Sequence, residues 1–190
     1  FSAYDSSSEI FRINHRAPAD SSLHIEREVG ALIARAAEMT RKTGGKFDPT
    51  IGPVKWLWGF GSTLTNRVPA HDEITETLNC VGIDRFTLDS TLQRITFHTR
   101  CTKIDPGGIS KGYALERFTG IMEKNGVSDF LIIAGGDIAG SGSKTDSVPW
   151  KIGIKHPRDN SRLLAALPLS GNECIVTSGD YERFFMPDTT

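Results

Sequence analysis

Long apolar runs are missing from the sequence: none approaches the ~20 residues that a membrane-crossing helix needs. An excess of one charge is missing too. With 22 Lys and Arg against 23 Asp and Glu, a net charge of about −1 gives no electrostatic ground for nucleic acid or an anionic membrane as the main partner. Cysteine is scarce. Cys80, Cys101 and Cys174 stand far apart and form no CxxC pair, which speaks against a zinc site and against a disulfide framework, so all three are expected to be packing residues. His15, His24, His71, His98 and His156 lack metal-ligand spacing and read as surface or structural. No GxSxG elbow occurs, because "GGISKG" and "TSGDY" both miss the pattern. Internal repeats and low-complexity tracts are absent as well. The first residue is Phe1 and no signal peptide is visible, which leaves the compartment open.

What is present is ordinary globular chemistry. At 190 residues, 38% apolar and 24% charged, the chain is long enough for one well-buried domain or two small lobes sharing a core. Ser6 and Glu9 have capping-box spacing before Ile10 and Ile13, so the opening reads as helix. Ile25, Val29, Leu32, Ile33 and Ala36 make one stripe, predicting a helix over 22–43 that Gly44 and Gly45 end. A loop, "GGKFDPTIGPVKWLWGFG", follows. Residues 72–78 read as a short helix stopped near Gly82, and 86–88 with 92–98 as a hairpin. A second amphipathic helix is expected over 109–124, with Ala114, Phe118, Ile121 and Met122 on its apolar stripe. Strand-like runs then follow in "DFLIIAGG", "WKIGIKHP", "LLAALPLSG" and "ECIVTSGDYERFF". The order of elements predicts α+β: a mostly antiparallel sheet with amphipathic helices packed on it.

The stretch "DPGGISKGYALERF" puts a glycine turn and a lysine in front of a helix, as phosphate sites do. It is not a P-loop. Three residues separate Gly108 from Gly112 where a P-loop has four, and Tyr113 stands where the magnesium-binding hydroxyl belongs. Lys111 can neutralise phosphate charge, and Asp105 can accept from a ribose, a base or a metal-bound water. A plain strand-to-helix turn accounts for the same residues. "FDPTIGP" likewise reads as a turn at Asp48–Pro49, or as one side of a site for a planar heterocycle beside Phe47, Trp56, Trp58 and Phe60. The two tryptophans read first as core. "AGGDIAGSG" closes a strand with Gly135 and Gly136, a bulge or a close approach to a ligand, with Asp137 as its acid. "TSGDYERFF" ends another with the hydroxyl pair Thr177 and Ser178.

Taken in order, "GGKFDPTIGPVKWLWGFG", "DPGGISKGYALERF", "FLIIAGGDIAGSG" with "WKIGIKHP", and "IVTSGDYERFF" resemble the ApbE family of FAD:protein FMN transferases, once described as thiamine-biosynthesis lipoproteins. The opening "FSAYDSSSEIFRIN" is similar to that family's early helix, so the resemblance spans residues 1–190. It implies a magnesium-dependent enzyme that transfers FMN from FAD, through a phosphoester, to a Thr or Ser hydroxyl of a target protein and releases AMP. It further implies that Asp48, Pro49 and Thr50 lie along FAD, that Asp105 and Lys111 contact it, and that the Gly108 carbonyl is a magnesium ligand. Gly135, Gly136, Ser178 and Tyr181 match the family's cavity wall, and Asp180 is the nearest candidate for a general base.

The resemblance also implies partners and place: a flavin-acceptor protein such as a redox-pump subunit, in the bacterial periplasm or on the outer face of the cytoplasmic membrane, often with a lipid anchor. After "FFMPDTT" the family continues into a His-Ile-Asp-Pro segment and a helix carrying the remaining magnesium ligands, and it starts with a strand ahead of "FSAYDSSSEIF". Neither is in this sequence, so the domain is expected to be incomplete at both ends. Two alternatives stay open beside transfer: a flavin-binding module without transfer activity, and an FAD pyrophosphatase releasing FMN and AMP.

Overall fold

The structure is a computed structural model that describes residues 1–16, 22–60, 67–91, 93–179 and 185–186. The chain divides into two compact units, Phe1–Ser110 and Lys111–Met186.

In the first unit the order is α1 (Glu9–Asn14), β1 (Ser22–His24), α2 (Arg27–Lys42), α3 (Gly52–Leu57), α4 (His71–Leu78), β2 (Phe86–Asp89) and β3 (Arg94–Phe97). The strands form one antiparallel sheet in the order β1-β3-β2. Ile10 and Ile13 of α1, Val29, Ile33 and Ala37 of α2, and Phe86, Ile95 and Phe97 of the sheet close into one core cluster. Ile25, Val29 and Ile33 of the apolar stripe read in the sequence belong to that cluster, and Leu32 and Ala36 are buried as well.

The boundaries differ from expectation where tertiary pairing wins over local periodicity. Helix α2 starts at Arg27, five residues later than its stripe suggests, because Ser22, Leu23 and His24 pair with Thr96, Ile95 and Arg94. The Ile25 N–H prolongs that ladder by donating to the Gln93 carbonyl at 2.8 Å. The capping box expected at Ser6 and Glu9 does not form. Ser8 is the N-cap, and both Glu9 carboxylate oxygens accept the backbone N–H of Glu26, at 3.2 and 3.0 Å. Inside the stretch read as a loop, Pro53 sits in the first turn of α3, where its missing N–H costs nothing. Trp56 and Trp58 are half-buried rather than core, and Lys103 places its ammonium 5.9 Å from the centre of the Trp56 ring.

Cysteine corrects a second expectation. Cys80 and Cys101 are joined by a disulfide, and Cys174 alone is a free, exposed thiol. At a sequence separation of 21, spacing gave no hint of the pairing. What brings them together is the return of the chain after β3, where the Thr102 hydroxyl donates to the Cys80 carbonyl at 2.8 Å.

The second unit holds most of α5 (Ser110–Lys124), then β4 (Phe130–Ala134), β5 (Asp137–Ser141), β6 (Trp150–His156), β7 (Asp159–Leu169) and β8 (Glu173–Ile175). Strands β4, β5 and β8 make one antiparallel sheet, and β6 and β7 a two-stranded hairpin. Among the described residues every pairing between these strands is antiparallel, in line with the mostly antiparallel α+β sheet expected from the sequence. The glycine pair is a two-residue hairpin turn: Gly135 and Gly136 have φ of 56° and 91° between the paired ends of β4 and β5. Helix α5 buries Leu115, while Phe118 and Ile121 of the expected stripe are both 54% exposed. Ala114 and Met122 of that stripe are half-buried, and the inward face runs through Leu115, Thr119 and Met122, turned away from Phe118 and Ile121.

Candidate functional site

The first unit gathers Asp48, Pro49, Thr50, Asp105 and Gly108 into one platform. Local turn chemistry builds its near side. Asp48 Oδ1 accepts the Thr50 N–H at 2.8 Å and the Thr50 hydroxyl at 2.6 Å, an Asx turn that Pro49 helps fix. Thr50 is fully buried, and its oxygen accepts the Gly82 N–H at 2.7 Å. The Thr50 hydroxyl is thus spent on holding the turn. Ile51 bridges in parallel to Lys103, and the Asp105 N–H donates to the Pro49 carbonyl at 2.6 Å, which seats the second segment against the first. Contact is close. A side chain at Gly52 would place its Cβ 3.1 Å from the Lys103 carbonyl, and one at Gly108 would come within 3.0 Å of the Phe47 ring.

Asp105 is the buried centre of this platform, 5% exposed. Its Oδ2 accepts the Tyr4 hydroxyl at 2.9 Å and the ammonium of Lys55, and its Oδ1 accepts the Gly107 N–H at 2.9 Å. Burial by itself pushes the Asp105 carboxyl up, but the hydrogen bonds from Lys55 and the Gly107 amide outweigh it and hold the group below the usual carboxylate range. Burial pulls the Lys55 ammonium down, and its bond to Asp105 and contact with Tyr4 overcome that and raise it. Burial raises the Tyr4 phenol. The result is an ionised carboxylate with a matched cation, aimed at a glycine turn.

Neither Lys55 nor Tyr4 stood out in the sequence. The available signal was weak: a lysine between Val54 and Trp56 on an apolar, aromatic segment needs a partner to be half-buried.

The second unit gathers Lys111, Gly135 and Asp137. The Lys111 ammonium donates to Asp137 Oδ1 at 2.8 Å and to the Gly135 carbonyl at 3.3 Å. Asp137 is 8% exposed at its side chain, against 47% for Lys111, so a nearly buried carboxylate aims a cation that still reaches solvent. Gly136, the other half of the turn, has open space where a Cβ would be. Ser178 is exposed three residues beyond β8. Asp180 and Tyr181 lie outside the described residues.

Magnesium takes about six oxygen ligands in near-octahedral array. Among the described residues no group of three or more His, Cys, Asp or Glu could hold a metal ion. Gly108 is exposed and its carbonyl is one oxygen, which does not make a magnesium site without further ligands. The nearest acid in sequence, Asp105, already accepts from Tyr4, Lys55 and Gly107 and keeps one acceptor site, which adds at most a single further oxygen. A separate cleft of about 580 Å³ in the first unit, lined by Ser6, Ser8, Glu9, Arg12, His24 and Glu26, contains none of the platform residues.

The model of the ApbE family matches residues 1–190. Among similar proteins are the FAD:protein FMN transferase of Haemophilus influenzae, 28% identical over 97% of this chain and 54% of its own length, and one from Klebsiella pneumoniae, 32% identical over 95% and 55%. The crystal structure of the ApbE protein from Thermotoga maritima superposes with a TM-score of 0.87 at 35% identity, covering 100% of this chain and 60% of its own. The apo form of the Pseudomonas stutzeri flavinyl transferase ApbE gives 0.81 at 29%, covering 99% and 57%. The chain thus spans about half the length of the curated relatives it matches.

Proposed function

Because the chain belongs to the ApbE family, we propose that the protein carrying it transfers FMN from FAD to a Thr or Ser hydroxyl of a flavin-acceptor protein. In that reaction the acceptor oxygen attacks the FMN phosphorus, the pyrophosphate bridge breaks, and AMP leaves with the bridging oxygen. The acceptor's proton passes to a base, for which Asp180 is the candidate. Curated relatives bear the name FAD:protein FMN transferase. The observation that carries the reading in this chain is the Asp105 platform: a buried, ionised carboxylate pins the Gly107–Gly108 turn beside the Asp48–Pro49–Thr50 segment.

Each element has chemistry that suits the reaction. Phosphoryl transfer is catalysed mainly by positioning and charge stabilisation. Lys111, held by Asp137 yet 47% exposed, is the cation for phosphate oxygens. Asp105 retains an acceptor site for a ribose or adenine donor, since a carboxylate accepts about four bonds and three are taken. Asp48, Pro49 and Thr50 shape the ledge of the first unit, while Gly135, Gly136, Ser178 and Tyr181 are the residues that the family resemblance assigns to a cavity wall. Magnesium would supply charge neutralisation on the pyrophosphate. The Gly108 carbonyl would be one of its ligands and would need further oxygen ligands beside it.

The disulfide bears on location. Disulfides persist in oxidising compartments, so Cys80–Cys101 favours the periplasm or the outer face of the cytoplasmic membrane, where a redox-pump subunit is a fitting acceptor.

The test uses the full-length protein with FAD, magnesium and an acceptor protein bearing the target threonine. The expected result is flavin fluorescence that stays with the acceptor after denaturation, with one AMP released per flavin attached. Release of free FMN without acceptor would instead identify an FAD pyrophosphatase. Absence of AMP under all conditions would leave a binding module and overturn transfer.

A further inference from the structure

Lys55 lies within "GGKFDPTIGPVKWLWGFG", yet neither the motif reading nor the resemblance gives it a role. It stands between Val54 and Trp56 on α3, and its ammonium donates to Asp105 Oδ2. The two side chains are unequally placed: Asp105 is 4% exposed and Lys55 35%. A carboxylate buried to that degree needs a charged partner, because a buried charge left alone costs far more than the pair gains. Tyr4 shares the same oxygen but is neutral, so Lys55 is the counter-charge.

Gly107 shows that the turn is built around this pair. A Cβ there would lie 2.9 Å from Asp105 Oδ1 and 3.9 Å from the Lys55 nitrogen, so only glycine lets the backbone N–H reach the carboxylate beneath it. The three bonds on Asp105 fix its orientation. Two on Oδ2 anchor the group, and the one on Oδ1 closes the turn that presents Gly108.

We propose that Lys55 is a positioning residue for the flavin site: by anchoring Oδ2 of Asp105 it holds the carboxylate in the orientation that closes the Gly107 turn and leaves one acceptor site for the ligand. This rests on the FAD reading above and adds a residue to it. Lys55 itself touches no ligand; it acts through Asp105. Without it the carboxylate either takes up a proton or turns toward water, the Gly107 N–H loses its acceptor, and Gly108 loses the support of the turn.

The experiment measures the Kd for FAD, by flavin fluorescence quenching on the full-length protein, with Tm recorded for each variant. Lys55→Met is expected to weaken FAD binding about tenfold or more, the scale of a lost charge-assisted hydrogen bond. Lys55→Arg should recover most of it. The double variant with Asp105→Asn should bind no more weakly than Asp105→Asn alone, because the lysine acts only through that carboxylate. A merely structural lysine would lower Tm and leave Kd unchanged. Unchanged Kd in folded Lys55→Met, or losses that add in the double variant, overturn the inference while the flavin reading stands. No FAD binding by the wild type overturns that reading and this inference with it. Should Lys55→Met fail to fold, Lys55→Gln, which keeps a donor without charge, carries the same comparison.

Discussion

The side chain of Asn14 hydrogen-bonds the backbone of Ile104 as a neighbouring strand would. Its Nδ2 donates to the Ile104 carbonyl at 2.7 Å, and its Oδ1 accepts the Ile104 N–H at 2.7 Å. Both residues are fully buried, so this amide is the only partner described for two main-chain groups that water cannot reach. Asn14→Leu removes it and keeps the volume. Leaving both groups unsatisfied costs roughly 2–4 kcal/mol by the usual scale for buried polar atoms. Urea unfolding should show that loss as a lower midpoint with unchanged slope. Asp105 follows Ile104 directly, so FAD affinity should fall as well.

The disulfide gives a second prediction. In the chain-entropy account, a cross-link closing a loop of this length contributes about 3 kcal/mol. Reduction should therefore lower Tm, and a Cys80→Ser, Cys101→Ser variant should start lower and ignore the reductant. Thiol counting by alkylation and mass spectrometry provides the check. The native protein should label once, at Cys174, and the reduced, unfolded protein three times. Three labels on the native, unreduced protein would remove the disulfide from the account.

The sequence made legible what repeats locally. The stripe from Ile25 to Ala36 announced α2 and its buried face, and the antiparallel strand content followed from alternation and turns. Legibility failed where a distant residue decides. Ser22–His24 became strand because β3 lies beside it, Glu9 turned from capping its own helix to the Glu26 amide, and Cys80 met Cys101 only through the chain's return. The candidate site divides in the same way. Asp105, Gly108 and Lys111 were visible as a motif, whereas Lys55 and Tyr4 could not be paired with Asp105 from sequence, being 50 and 101 residues away.

Glycines in the second unit should respond with opposite signs. Gly135 and Gly136 sit at positive φ, so alanine at either position is strained by roughly 1–2 kcal/mol even though neither site is crowded. Gly135→Ala should also disturb the carbonyl that Lys111 bonds and so weaken FAD binding. Gly120 lies inside α5 with open space where its Cβ would go. Gly120→Ala should stabilise by up to about 1 kcal/mol, the difference in helix propensity. Denaturant curves for the three single variants decide this. Equal shifts for all three would contradict the turn geometry.

The Asp105–Lys55 pair also sets how stability depends on pH. Asp105 is held below its unfolded value, so its contribution is present above an unfolded carboxyl pKa near ~4 and is lost as pH falls through the folded one. Lys55 is raised, so its contribution is complete below an unfolded pKa near ~10 and is lost as pH rises through the folded one. Between these limits the pair supports the turn undiminished. Lys55→Met takes away the cation that keeps Asp105 ionised in a buried place, so the folded carboxyl must move up. The acid side of a Tm-against-pH profile should then start from a lower plateau and fall less than in the wild type, because the gap between folded and unfolded carboxyl values has narrowed. Asp105→Asn, with no carboxyl left to protonate, should flatten that same limb and lower the plateau. Coincident acid limbs for wild type and Lys55→Met would mean that Lys55 does not hold Asp105 in solution.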